Sequence, residues 1–207
     1  MKLYYAPGAC SLSPHIVAHE LGLALELEKV DTKAKRTASG RDFLQINAKG
    51  YVPALELDNG EVLTEGPAIV QYLADQKPQA GLAPANGTFA RARLQEMLGY
   101  INSEIHKAYS PLFKADTPEQ TRSERLAYLQ RRYEFLERIL EKQDWLVGDR
   151  FSIADAYLFT VTRWADGVKL DLSGFPALRA FQQRVSARAG VQAALAAEGL
   201  SKHKAAA

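Results

Sequence analysis

Hydrophobic and polar positions change period along this chain, and the changes divide it. Residues 2–5, Lys-Leu-Tyr-Tyr, are a short β-prone run stopped by Ala6-Pro7-Gly8. Ser11 to Leu23 predicts a helix, continued by Ile16, Val17, His19, Glu20 and Leu21 and ended at Gly22. Leu25 to Val30 alternates apolar and charged side chains, the period of a strand. Strand, helix and strand within about 30 residues make a βαβ unit, so the two strands are expected to be parallel. A polar, basic stretch follows from Lys33 to Gly40, then a short helical piece around Asp42 to Ile46. Ala54 to Leu57 and Glu61 to Thr64 flank Asp58-Asn59-Gly60, a hairpin turn signal. Pro67 to Gln76 predicts a helix with Ile69, Val70, Tyr72 and Leu73 as its apolar face.

Pro78, Gly81, Pro84 and Gly87 then break every period and mark an interdomain linker. Beyond it the pattern is helical throughout. Leu94, Leu98, Ile101, Ile105, Tyr109 and Leu112 recur at steps of three and four. Thr117-Pro118-Glu119-Gln120 predicts a capping box opening a helix with Leu126, Leu129, Tyr133, Leu136 and Leu140 as its stripe. Ser152-Ile153-Ala154-Asp155 predicts a second capping box, opening a largely apolar helix through Trp164. Pro176 to Arg188 and Val191 to Ala197 complete a bundle, and the tail 202–207 is expected to fray. The expected domains are therefore an α/β domain over 1–77, a linker over 78–87 and an all-α helical bundle over 88–207. No internal repeat is visible.

Composition narrows the class. With 207 residues, 47% hydrophobic and 24% charged, the chain is an ordinary globular protein, neither disordered nor fibrous. A net charge of +2 is too mild for a nucleic-acid partner. Arginines between Arg122 and Arg150 alternate with Glu124, Glu134, Glu137 and Glu141, as on a solvated helix face. No apolar window is long enough to span a membrane. There is one cysteine, Cys10, so no internal disulfide forms and a reducing, cytoplasmic setting is expected. The Asn86-Gly87-Thr88 sequon is then without consequence.

Cys10 is also the sharpest chemical feature. It opens the first helix, where unpaired N–H groups and the helix dipole are expected to stabilise a thiolate; the alternative is a buried structural cysteine. Cys10-Ser11-Leu12-Ser13 is a C-x-x-S pattern without a second thiol, so an external thiol would have to resolve any mixed disulfide. Pro53, starting a strand, is a candidate for a cis bond that opens the Val52 backbone to a peptide-like ligand, or an ordinary edge proline. Glu65 could pair with a ligand ammonium and Gly66 could receive a carboxylate, or Glu65 simply complements its own helix dipole. At about 100° per residue, Gly99, Ser103, His106 and Ser110 share one stripe, suited to a cleft wall or subunit contact, or to solvent. His15 and His19 have the spacing of a metal pair without a third ligand in sequence, and no metal is expected. Tyr4 and Tyr5 could offer a hydroxyl to a thiolate, with strand packing the simpler role. Tyr109, Phe113 and Trp164 could line an apolar pocket or the core.

Taken together, several segments carry a resemblance that covers essentially the whole chain. They are residues 4–15 (YYAPGACSLSPH), 50–55 (GYVPAL), 63–69 (LTEGPAI), 104–107 (EIHK) and 148–155 (GDRFSIAD). The chain resembles the cytosolic glutathione S-transferases, most of all the bacterial beta class. The resemblance implies a thioredoxin-like α/β N-terminal domain, an all-α C-terminal domain, a homodimer, and glutathione as co-substrate for conjugation to small hydrophobic electrophiles. It implies catalytic roles for Cys10 and His106 and glutathione contacts from Cys10, Lys35, Val52, Pro53, Glu65, Gly66, Ser103 and His106. Cys10-dependent thiol–disulfide exchange or dehalogenation is an implied side activity, and a non-catalytic glutathione-binding module on the same fold is the alternative. Gly99 stands where the family usually has Asn.

Overall fold

The computed structural model describes residues 1–201; the tail expected to fray lies outside them. Contacts divide the chain into two units, Met1–Lys77 together with the segment from Ser186 onward, and Pro78–Val185.

The first unit is built on a five-stranded sheet of order β3-β2-β1-β4-β5. Its strands are β1 (Lys2–Tyr5), β2 (Glu26–Asp31), β3 (Arg36–Thr37), β4 (Ala54–Glu56) and β5 (Val62–Thr64). β1 and β2 are parallel, with Lys2 opposite Glu26, because α1 (Leu12–Glu20) crosses between them. β4 runs antiparallel to both β1 and β5. The β4–β5 turn closes as its residues require: Gly60, at φ +85°, donates its N–H to Leu57, and Leu57 donates to Glu61. β3 lies in the stretch that the sequence pattern leaves as polar loop; it pairs with the end of β2 through Val30 and Asp31. Leu3, Leu12, Ile16, Leu55, Ile69 and Leu73 are wholly buried and join the sheet to α1 and α2 (Gly66–Gln76).

The last helix, α9 (Ala189–Ala197), departs from the expected domain division. It packs on α1 and so belongs to the first unit, not to the bundle over 88–207. Ionic contacts hold it there: Arg188 grips Glu20 through Nε at 3.0 Å and Nη2 at 2.6 Å.

The second unit is helical: α3 (Phe89–Tyr100), α4 (Lys107–Tyr109), α5 (Glu119–Leu140), α6 (Ile153–Thr162), α7 (Ala165–Val168) and α8 (Pro176–Ser186). All ten residues of α6 are buried. The capping box that opens it forms as the sequence predicts, with the Asp155 carboxylate accepting from the Ser152 N–H and hydroxyl, each at 2.7 Å. The other predicted box does not form. Pro118, not Thr117, stands at the cap position of α5 and supplies no side-chain cap, while the Thr117 hydroxyl donates to the Pro111 carbonyl. The arginines of α5 are drawn into local pairs: Arg132 lies 2.7 Å from Glu104 and over the Tyr128 ring. No described helix is long and apolar enough to cross a membrane.

Candidate active site

In the first unit the candidate residues gather around the ends of β1, β4 and β5. The turn after β1 carries Cys10. It is tied by the Ser11 hydroxyl, which sits 3.2 Å from both the N–H and the C=O of Ala6 rather than capping α1. It is tied again by Glu198, whose buried carboxylate accepts from the Gly8 N–H at 2.8 Å and from His15 Nδ1 at 2.9 Å. His15 Nε2 in turn lies 3.2 Å from His19 Nε2. The two histidines are thus committed to each other and to Glu198. Among the described residues no group of three or more His, Cys, Asp or Glu is placed to hold a metal ion.

The Cys10 thiol donates to the Val52 carbonyl at 3.2 Å. The residue is partly exposed, yet burial of its sulfur pushes the pKa up to about 12, against the backbone N–H groups of Cys10 and Ser11. The helix start therefore does not deliver the stabilised thiolate expected from position alone; desolvation outweighs it. Ser13, where a resolving thiol would stand, is buried with its hydroxyl unpaired. Tyr4 is a packing residue whose hydroxyl donates to Glu56 and receives Arg41, and Tyr5 lies beside His15.

Val52–Pro53 is a cis peptide bond, the first of the two readings left open by the sequence. The loop before it is built around Asn47, a buried side chain that accepts from Lys49 N–H and donates to the Tyr51 carbonyl. Lys35 reaches the same loop, its Nζ donating to the Gly50 carbonyl at 2.9 Å. Gly50 sits at φ +68°, and a side chain there would meet Leu44 at 3.1 Å and Lys35 at 3.4 Å. Lys35 itself has φ +56°, reached through a turn in which Asp31 accepts from the N–H groups of Lys33 and Ala34. At the start of α2, Glu65 adopts φ +69° and ψ 113° without capping its own helix. That backbone region favours glycine, and strain of this kind gathers at functional sites. Its carboxylate instead pairs with Lys49 Nζ at 2.8 Å. Asn47 and Lys49 are the residues that motif reading missed, since the recognisable segment begins only at Gly50.

In the second unit, the predicted single helix from Leu94 to Leu112 is broken into several pieces. Residues Ile101–His106 are π-helical, and Ser110–Phe113 tighten to a 3₁₀ turn. The six apolar positions from Leu94 to Leu112 remain buried. The outer stripe, by contrast, changes course. Gly99 and Ser103 are exposed, with the Ser103 hydroxyl donating back to the Gly99 carbonyl at 2.9 Å. His106 turns partly inward, its Nδ1 2.6 Å from the Tyr157 hydroxyl. Tyr157 gives its only proton to Asn102 at 2.9 Å, so His106 Nδ1–H is the donor and its tautomer is set. The His106 ring also lies edge-on to Trp164, 5.0 Å away. Trp164 packs edge-on against exposed Phe113 as well. Tyr109 is wholly buried, its hydroxyl shared with Tyr133 at 3.0 Å, so it supports Phe113 and Trp164 from beneath instead of offering a surface of its own.

Comparison with known proteins decides what this arrangement belongs to. The model of the glutathione S-transferase N-terminal domain matches residues 1–75, and that of the glutathione S-transferase C-terminal domain matches residues 100–189. The chain belongs to the glutathione S-transferase family. It is 48% identical over 200 residues to glutathione S-transferase GstA of Escherichia coli O157:H7, covering 97% of this chain and all of that one. Among solved structures, a ternary complex of BphK, a bacterial glutathione S-transferase, superposes with TM-score 0.95 at 54% identity, covering 97% of this chain and 100% of that one. A sphingomonad glutathione S-transferase complexed with glutathione and a bacterial beta-class enzyme from Sphingomonas chungbukensis each give TM-score 0.94 at 44% identity, with the same coverage. The fold is thus that of the family, a thioredoxin-like N-terminal domain with a mixed sheet and a helical C-terminal domain, and its neighbours are bacterial beta-class enzymes.

Proposed function

We propose that this chain is a glutathione transferase that joins the sulfur of glutathione to small hydrophobic electrophiles. The observation that carries this is Glu65, an acidic side chain held in a glycine-like backbone at the start of α2. Its carboxylate binds the ammonium of the γ-glutamyl end, and the Gly66 N–H receives the α-carboxylate. Val52, before the cis-proline, pairs its backbone with the cysteinyl part, and Lys35 contacts the glycyl carboxylate. Glutathione thiolate then attacks an electrophilic carbon. A C–S bond forms, and the leaving group departs with its electron pair. Ser103 contacts glutathione, His106 serves the sulfur, and Phe113 and Trp164, backed by Tyr109, meet the electrophile. Cys10 faces the glutathione sulfur and supports thiol–disulfide exchange, with a second glutathione resolving the mixed disulfide. The working form is a cytoplasmic homodimer.

Steady-state conjugation of an aryl halide tests this assignment. Turnover is expected, with KM for glutathione raised about tenfold in Glu65→Gln, equivalent to about 1.4 kcal/mol of lost charge pairing. Glutathione binding without turnover across a panel of aryl halides and mixed disulfides would instead identify a non-catalytic binding module. Unchanged disulfide-exchange activity in Cys10→Ala would remove that thiol from the chemistry.

A further inference from the structure

Lys49 has no role in the glutathione contacts proposed above, yet it is built into the γ-glutamyl end of the site. Its Nζ lies 2.8 Å from Glu65 Oε1 and 2.9 Å from Thr64 Oγ1. Its backbone is fixed by the buried Asn47, which accepts the Lys49 N–H at 3.1 Å and holds the loop that leads into Val52. The pair is half open to water, with side-chain exposures of 52% for Lys49 and 62% for Glu65. An exposed ion pair of this kind adds little to stability, so folding gives little reason for its arrangement.

The ligand end that would meet it is an amino-acid zwitterion, with an ammonium and a carboxylate on one carbon. Adjacent positive and negative side chains are its complement: ammonium against Glu65, carboxylate against Lys49. The four charges then alternate, and each like-charge pair lies on a diagonal, farther apart than the attractive pairs. We propose that Lys49 is a binding residue for the α-carboxylate of the γ-glutamyl group, acting with Glu65 as a two-charge clamp that selects a free amino-acid end. Thr64 accepts one ammonium proton and holds Lys49 in place for this. The proposal rests on glutathione occupying the site as described above.

The test uses three thiols: glutathione, γ-aminobutyryl-cysteinylglycine, which lacks the α-carboxylate, and glutaryl-cysteinylglycine, which lacks the ammonium. KM and kcat are measured for each with the wild-type enzyme, Lys49→Met, Lys49→Arg and Glu65→Gln. Lys49→Met is expected to raise KM for glutathione about tenfold. KM for the γ-aminobutyryl thiol should stay within about twofold, because its missing group is the one Lys49 binds. Lys49→Arg should recover most of the glutathione affinity, and Glu65→Gln should spare the glutaryl thiol instead. An equal rise for all three thiols in Lys49→Met would overturn the proposal, as would tighter glutathione binding, which would mean that Lys49 only competes with the ammonium for Glu65. If Glu65→Gln alone weakens glutathione, this proposal fails and the assignment of the site stands. If neither variant does, the site assignment itself fails.

Discussion

Replacing Asp155 by alanine should cost the helical unit about 4 kcal/mol. Asp155 is wholly buried, and its carboxylate accepts from the Leu146 N–H at 2.8 Å and from the Ser152 N–H and hydroxyl at 2.7 Å each. Burial raises its carboxyl pKa to about 6, so near pH 7.5 it is ionised and its hydrogen bonds are charge-assisted. Alanine leaves the Ser152 hydroxyl able to rotate elsewhere. The two backbone N–H groups have no such choice, and Leu146 and Ser152 are both buried. A stranded buried donor costs about 1–3 kcal/mol, which gives roughly 2–6 kcal/mol for the pair. Asp155→Asn keeps one oxygen and turns an NH₂ group toward the other donors, so about half that loss is expected. Urea unfolding followed by tryptophan fluorescence reads the effect directly. Both tryptophans, Trp145 and Trp164, lie in this unit, and Trp145 packs edge-on to Phe151 beside the cap. A loss below about 1 kcal/mol in Asp155→Ala would show that the cap is not what holds α6 in place.

Two further outcomes follow from the site. A pKa of about 12 in place of the ordinary 9.0 leaves Cys10 with roughly a thousandth of the usual thiolate fraction at neutral pH, so iodoacetamide labelling should be slow and climb about tenfold per pH unit through pH 9; a plateau below pH 8 would contradict the burial argument. Tyr157→Phe removes the acceptor that fixes the His106 tautomer, and should lower kcat by roughly fivefold while the stability read by thermal unfolding falls by no more than its two lost hydrogen bonds, about 2 kcal/mol; unchanged kcat would separate His106 from the chemistry.

How far the chain could be read in advance depends on whether a residue's behaviour is set locally. The Asp58–Gly60 turn and the Ser152–Asp155 box were legible because their hydrogen bonds close within a few residues. The Thr117 box had the same local pattern and failed, because α5 starts one residue later, with Pro118 at its cap position, and leaves Thr117 outside the helix. Cys10, Val52, Glu65 and Gly66 were legible as a group, but not the physical state of each. The thiol's pKa depends on what buries it, and the positive φ of Glu65 has no signature in a residue that is not glycine. The π-helical turn at Ile101–His106 escaped a 100° wheel for the same reason: the wheel assumes the helix it is testing. Lys49 was invisible because lysines on exposed loops are common, and only its distance to Glu65 distinguishes it.

The Gly8–Glu198 contact joins residues 190 positions apart, and it sets an order of events during synthesis. A ribosome making this chain releases the turn that carries Cys10 early and the carboxylate that braces it almost last. The sheet and α1 can therefore collapse while the thiol turn still lacks one of its two ties, leaving the face of α1 that receives α9 open until the end. A nascent chain, or one clipped before Glu198, would carry the complete family motif around Cys10 on a loosely held loop. Its thiol would be more open to oxidation than that of the finished protein.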